Sequence, residues 1–152
     1  MTTVANPAYV QAIRDSVREA PYPHLVGMTI ESLEFDRCRI GLELDRRHLQ
    51  PFGIVHGGVL ATLIDTATFW AVFLRLPEDA GLVNVDLKLN YLKAATRGRL
   101  RAEGRCLRAG RQISYAEAGV YDAGDELVAH GTSTLMALPG KGLALDVPKF
   151  LA

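Results

Sequence analysis

The chain has 152 residues, which fits one domain able to bury a proper core. Hydrophobic residues make up 49% and charged residues 22%, an ordinary balance for a globular protein. The formal net charge is zero and the pI about 6.9, so no global field argues for a nucleic-acid or membrane partner.

In chain order, residues 7 to 20 read as a short amphipathic helix. Pro7 suits a first helical turn, Val10, Ile13 and Val17 recur at three- to four-residue spacing, and Pro21 and Pro23 close it. Residues 25 to 35 and 38 to 45 read as strands. In the second, Cys38, Ile40, Leu42 and Leu44 alternate with Arg39, Gly41, Glu43 and Asp45, the period of a half-buried strand. A loop with Pro51 and Gly53 fills residues 46 to 55. Residues 57 to 75 are too long for a strand and apolar on nearly every side, which predicts a buried helix ending before Leu76-Pro77. Four strand-like runs follow, at 82–92, 97–107, 112–122 and 126–138. In the run at 97–107, Arg97, Arg99, Arg101, Glu103 and Arg105 alternate with Gly98, Leu100, Ala102, Gly104 and Cys106, a small set that could lie close against a helix. The tail, about 139–152, reads as loop. Short links between consecutive strands predict an antiparallel sheet, and wrapping it around the one long helix is an α+β solution.

The N-terminus lacks a basic start followed by an apolar run, so no signal peptide is read, and no run of about 18 apolar residues offers a membrane span. Cys38 and Cys106 carry no Cys-x-x-Cys spacing, which points to reduced thiols in a cytoplasmic protein.

Within residues 57 to 74 the one ionisable side chain is Asp65. An unpaired buried carboxylate is costly, so something must offset it. A structural reading places Asp65 at a subunit interface accepting hydrogen bonds; a functional reading makes it catalytic. His56-Gly57-Gly58 stands just before the helix. The first N–H groups of a helix have no partner within it, the helix dipole favours negative charge there, and glycines admit a ligand to the backbone. A thioester carbonyl could be polarised at such a place, although a tight loop-to-helix corner explains the same residues. The two features inform each other. Asp65 lies eight residues past Gly57, about 12 Å along a helix axis. Reacting atoms approach to roughly 3 Å, so one helix cannot easily set both groups on one carbonyl. If both are catalytic, Asp65 comes from a second copy, and a two-fold pair of antiparallel helices creates two mixed sites.

The segment Gln50-Pro-Phe-Gly-Ile-Val-His-Gly-Gly-Val-Leu-Ala-Thr-Leu-Ile-Asp65, followed by Val83-Asn-Val-Asp-Leu-Lys-Leu-Asn-Tyr-Leu92, resembles the hotdog-fold thioesterases of the phenylacetate-degradation and 4-hydroxybenzoyl-CoA group. The resemblance runs from about residue 25 to residue 138. It implies a single hotdog thioesterase domain over residues 1–152, an acyl-CoA substrate with an aromatic or medium-chain acyl group, no cofactor and no metal. It also implies a homo-oligomer, a dimer or a dimer of dimers, with sites between subunits. Gly57 would supply the polarising N–H, with Gly58 beside it. Asp65 of the neighbouring subunit would be nucleophile or general base, and His56 would orient the loop and residue 50. Two positions depart from the family's pattern. Gln50 stands where Asn is common, and Asn84 where Ser or Thr is common, changes that bear on rate and substrate choice. Arg108 and Arg111, flanking Gly110, resemble the family's pantetheine and phosphate edge; a solvated basic face, the reading given to Arg97, Arg99, Arg101 and Arg105, fits Arg111 equally.

Of the aromatic patch Phe69, Trp70 and Phe73, Phe69 is the candidate for substrate contact, being four residues past Asp65 and on its face; core or dimer contact is the reading for the others. His130 reads as structural, His24 and His48 as loop residues, and the histidines show no metal-ligand spacing. Neither Gly-x-Ser-x-Gly nor a Walker loop is present. Two other functions remain: a non-catalytic acyl-CoA binding module, and a hotdog-fold hydratase or dehydratase, whose paired histidine and acid have no matching motif here.

Overall fold

The computed structural model describes residues 3–152. A two-residue strand β1 (Val4–Ala5) precedes helix α1 (Pro7–Glu19), which is capped by Asn6, whose side-chain oxygen accepts the N–H of Ala8 at 3.0 Å. Tyr9, Ile13 and Val17 form its buried stripe. Pro21 does not simply end it. Ala20 is extended, and Pro21 takes the first position of a second short helix, α2 (Pro21–Val26), where a missing N–H costs nothing. Gly27, at φ 82°, terminates α2 in the left-handed conformation that favours glycine. The first long strand therefore starts later than expected, at residue 28.

Strands β2 (Met28–Glu34) and β3 (Arg37–Glu43) form a hairpin. A 3-10 turn (Arg46–His48) and a loop lead to α3 (Gly57–Phe73), followed by β4 (Gly81–Tyr91), β5 (Arg99–Arg108), β6 (Ile113–Tyr121) and β7 (Leu127–Leu138). The sheet order is β2-β3-β5-β6-β7-β4, antiparallel throughout. This six-stranded sheet wraps α3, the hotdog arrangement.

The small inward set of β5 is what lets the helix approach. Leu100, Ala102 and Gly104 are buried under α3 with Ala116 and Ala118 of β6. A Cβ added at Gly104 would stand 2.2 Å from the carbonyl oxygen of Ala67. On the outer face three of the four arginines are paired rather than merely solvated: Arg99 with Glu31, Arg101 with Glu103 and Asp125, Arg105 with Glu117. Such exposed pairs contribute about 0–1 kcal/mol each.

The tail is not all loop. Strand β8 (Phe150–Leu151) pairs with β1, and Asn6 donates its side-chain amide to the carbonyl of Pro148 at 2.8 Å. The Lys149 side chain is fully buried and donates to the carbonyls of Phe73 (2.7 Å) and Leu76 (2.9 Å), capping the C-terminal end of α3. His48, expected as a plain loop residue, is buried: its Nδ1 accepts the N–H of Asp45 (2.9 Å) and its Nε2 donates to the carbonyl of Val26 (2.6 Å). No helix among the described residues is long and apolar enough to cross a membrane.

Candidate active site

The start of α3 is built by its own loop. His56 is the N-cap, extended at ψ 135°, and its Nδ1 accepts the N–H of Gly58 at 2.8 Å. The His56 ring thus serves the helix start, and no hydrogen bond joins it to Gln50 among the described residues. Gln50 closes a local turn instead: its side-chain oxygen accepts the N–H of Phe52, and its own N–H donates to the carbonyl of Ile54 at 2.8 Å. Among the described residues nothing accepts the N–H of Gly57. That donor sits at the positive end of the helix dipole with its hydrogen-bonding capacity free. It faces a cavity of about 460 Å³ lined by Gln50, Leu60, Tyr91 and Lys93 among others. The end of the exposed Tyr91 ring comes so close that a Cβ on Gly57 would lie 2.8 Å from it, so a side chain there would have to displace the ring.

Asp65 lies in a different cavity, of about 510 Å³, whose walls include Val17, Tyr22, Met28, Thr62 and Trp70. Its carboxylate is half-buried and has no hydrogen-bond or ion-pair partner among the described residues. Burial pushes its pKa above the ordinary aspartate value. The two cavities share no lining residue. One chain thus holds an unused backbone donor and an unpartnered acid apart, in keeping with their eight-residue separation.

Arg108 and Arg111 line a third cleft, near the C-terminal end of α3, with Asp36, Arg75 and Cys106. Both are exposed and unpaired among the described residues, whereas Arg75 is tied to Asp36 and holds that carboxyl below its usual range. Asn84 is turned inward: its side-chain amide donates to Ser133 Oγ (2.8 Å) and, at 3.4 Å each, to the Asp65 carbonyl and Thr68 Oγ1. It braces β4 against α3 at the level of Asp65. Phe69 stacks on Phe73 and meets Trp70 edge-on, and it is Trp70 that reaches the Asp65 cavity. A signal for Trp70 was present, since Thr62, Thr66 and Trp70 recur every four residues as one stripe, and all three line that cavity. His130 bonds Glu117 at 3.2 Å on the outer face of the sheet.

The family profile described as "Thioesterase superfamily" matches residues 52–129. The chain is 32% identical over 111 residues to the proofreading thioesterase EntH of Klebsiella pneumoniae, covering 73% of this chain and 80% of that protein. A thioesterase family protein from Silicibacter pomeroyi superposes with a TM-score of 0.79 at 32% identity, over 87% of this chain and 99% of that one. A thioesterase from Haemophilus influenzae gives 0.79 at 25% identity, over 86% and 90%.

Proposed function

The chain belongs to the thioesterase superfamily, and from that premise we propose that the thioesters it hydrolyses are acyl-coenzyme A, with an aromatic or medium-chain acyl group, in a site shared by two copies. The carrying observation is the separation within one chain of the free Gly57 N–H from the unpartnered Asp65 carboxylate. A second copy supplies what each half lacks. Strand β4 is a long sheet edge with Val83, Val85 and Tyr91 exposed, and such an edge invites pairing. A two-fold axis at that edge would set the two α3 helices antiparallel, as the mixed site requires.

In this site the thioester oxygen accepts the N–H of Gly57, and charge developing on it is stabilised by the helix start. Asp65 of the other copy either takes a proton from an attacking water or attacks the carbon itself; the coenzyme A thiolate leaves, and in the second case water then cleaves the acyl anhydride. The desolvation that raises the Asp65 pKa makes it a stronger base. His56 and Gly58 hold the helix start, and Gln50 lines the carbonyl's side. Asn84 fixes the helix at Asp65, and Phe69 supports Trp70. Arg108 and Arg111 would take the coenzyme's phosphates. Arg75, in their cleft, lies two residues past the end of α3, and the eight residues from Asp65 to Phe73 alone span about 12 Å of helix, a separation on the scale of an extended pantetheine arm. A coenzyme A substrate and the free thiols of Cys38 and Cys106 both suit a reducing compartment such as the cytoplasm.

The test is turnover of an acyl-CoA panel followed with a thiol-reactive dye. Asp65→Ala should lower kcat at least ~100-fold while the oligomer persists. Near-normal turnover in that variant rejects the reading.

A further inference from the structure

The cavity holding Asp65 is closed largely by parts of the chain that lie outside residues 52–129, the stretch matched by the family profile. Val17 comes from α1, Tyr22 from α2, Met28 from the start of β2, and Leu143 from the C-terminal tail. The opposite wall is the stripe of α3 that carries Thr62, Thr66 and Trp70.

These terminal segments are fixed, not loose. The Tyr22 hydroxyl bonds Thr62 Oγ1 at 2.7 Å, and Thr62 Oγ1 itself donates to the carbonyl of Gly58 at 2.9 Å, so α2 is pinned to the first turns of α3 across the cavity. The tail is held by the Gly142 N–H on the carbonyl of Asp79 (2.8 Å), by the buried Lys149, and by Asn6 on the carbonyl of Pro148. Leu143 sits between two of these anchors.

Resting on the acyl-CoA hydrolase reading, we infer that Tyr22 and Leu143 are specificity-determining residues, forming with Trp70 an acyl pocket that selects uncharged acyl groups by size. Its volume, about 510 Å³, lies in the range of small-molecule sites. Among the described residues no lysine, arginine or histidine lines it, and its one carboxylate is Asp65. An acyl chain ending in a carboxylate would find no cation there and would be repelled by Asp65. An apolar chain or ring would lie on Val17, Met28, Leu143 and Trp70 with the thioester carbon at Asp65.

The test compares the kcat/KM ratio of octanoyl-CoA to acetyl-CoA in the wild type, Leu143→Trp and Tyr22→Ala. Leu143 and Tyr22 are 38% and 54% exposed, so both substitutions spare the core. Leu143→Trp should lower the ratio about tenfold or more, the scale on which pockets discriminate by size, and Tyr22→Ala should raise it. Pentanoyl-CoA should also exceed glutaryl-CoA by about tenfold, because the two differ only in the terminal carboxylate. A uniform change across the panel, or none, overturns the inference while leaving the hydrolase reading in place. Binding of the thioether S-octyl-CoA, read by calorimetry, separates the two ideas from the other side. If the wild type cleaves no thioester yet Leu143→Trp weakens S-octyl-CoA binding about tenfold, the pocket stands and the hydrolase reading falls. Equal binding by both proteins overturns the pocket.

Discussion

Gly104→Ala puts one methyl group where the sheet and the central helix already touch. The new Cβ would lie 2.2 Å from the Ala67 carbonyl oxygen and 2.6 Å from its carbonyl carbon, whereas ordinary contact begins at 3.4 Å. Both obstacles are backbone atoms of α3, so no side chain can swing aside. The helix must move by roughly 1 Å or the strand must bend, an overpacking strain of about 1–3 kcal/mol. For a chain of this length that corresponds to a fall in Tm of about 3–10 °C. Ala67 lies two residues past Asp65, so the same shift should misplace the acid and lower kcat by up to ~100-fold. Thermal unfolding by circular dichroism, at one fixed protein concentration because the oligomer contributes, measures the first effect. The dye-coupled turnover assay measures the second. Gly124→Ala is the control: its Cβ meets only Asp122 Oδ1, at 3.4 Å, and Tm should hold. A Gly104→Ala protein melting within a degree of the wild type would refute the claim that close helix–sheet approach fixes this residue.

The unpartnered Asp65 should cost the fold stability. Its folded pKa is raised, so the native state holds its proton to higher pH than the unfolded chain does, and stability falls as pH rises from the unfolded value of 3.8 through the raised folded one. Asp65→Asn should remove that decline and melt no lower than the wild type at pH 7, while the acid limb of kcat/KM in the wild type lies above the ordinary aspartate range; an Asn variant that melts lower shows that the carboxylate is structurally paired. Lys149 titrates in the opposite sense. Burial lowers its ammonium from 10.5 to about 8, with Glu78 opposing, so the unfolded chain binds more protons between those values and stability contributed through this group rises with pH there. Urea titrations at pH 7 to 10 should show this rise in the wild type relative to Lys149→Met; parallel curves for the two proteins would reject it.

Periodicity made much of this fold legible. The alternation of Cys38, Ile40 and Leu42 locates β3, and the small residues between the arginines of β5 point to a close helix. The candidate site was legible through one anomaly, a lone acid in an apolar helix, and through a spacing from Gly57 that one helix cannot easily close. Other features were hidden for physical reasons. Proline reads as a helix terminator, yet Pro21 starts α2, because a first helical position needs no N–H. Lys149 in a tail rich in glycine and proline reads as solvent-exposed; its burial depends on the end of α3, 73 to 76 residues away in sequence. The two-residue strands β1 and β8 are too short to carry a period. An aromatic residue in an apolar helix reads as core or dimer contact, yet Trp70 lines the Asp65 cavity in one stripe with Thr62 and Thr66.

Subunit mixing tests the shared site most directly. His56 already has the extended ψ of 135° that a following proline requires, and Gly57 is the first residue of the helix, so Gly57→Pro removes the polarising N–H at a position that tolerates proline; the exposed Tyr91 ring must swing away. Gly57→Pro and Asp65→Asn should each be at least ~100-fold impaired alone. Co-assembled in equal amounts, half of the dimers pair one copy of each, and each such pair contains one site with both groups intact, so about a quarter of wild-type activity should return. A mixture that has demonstrably exchanged subunits yet remains as inactive as its parents would contradict a site built from two copies.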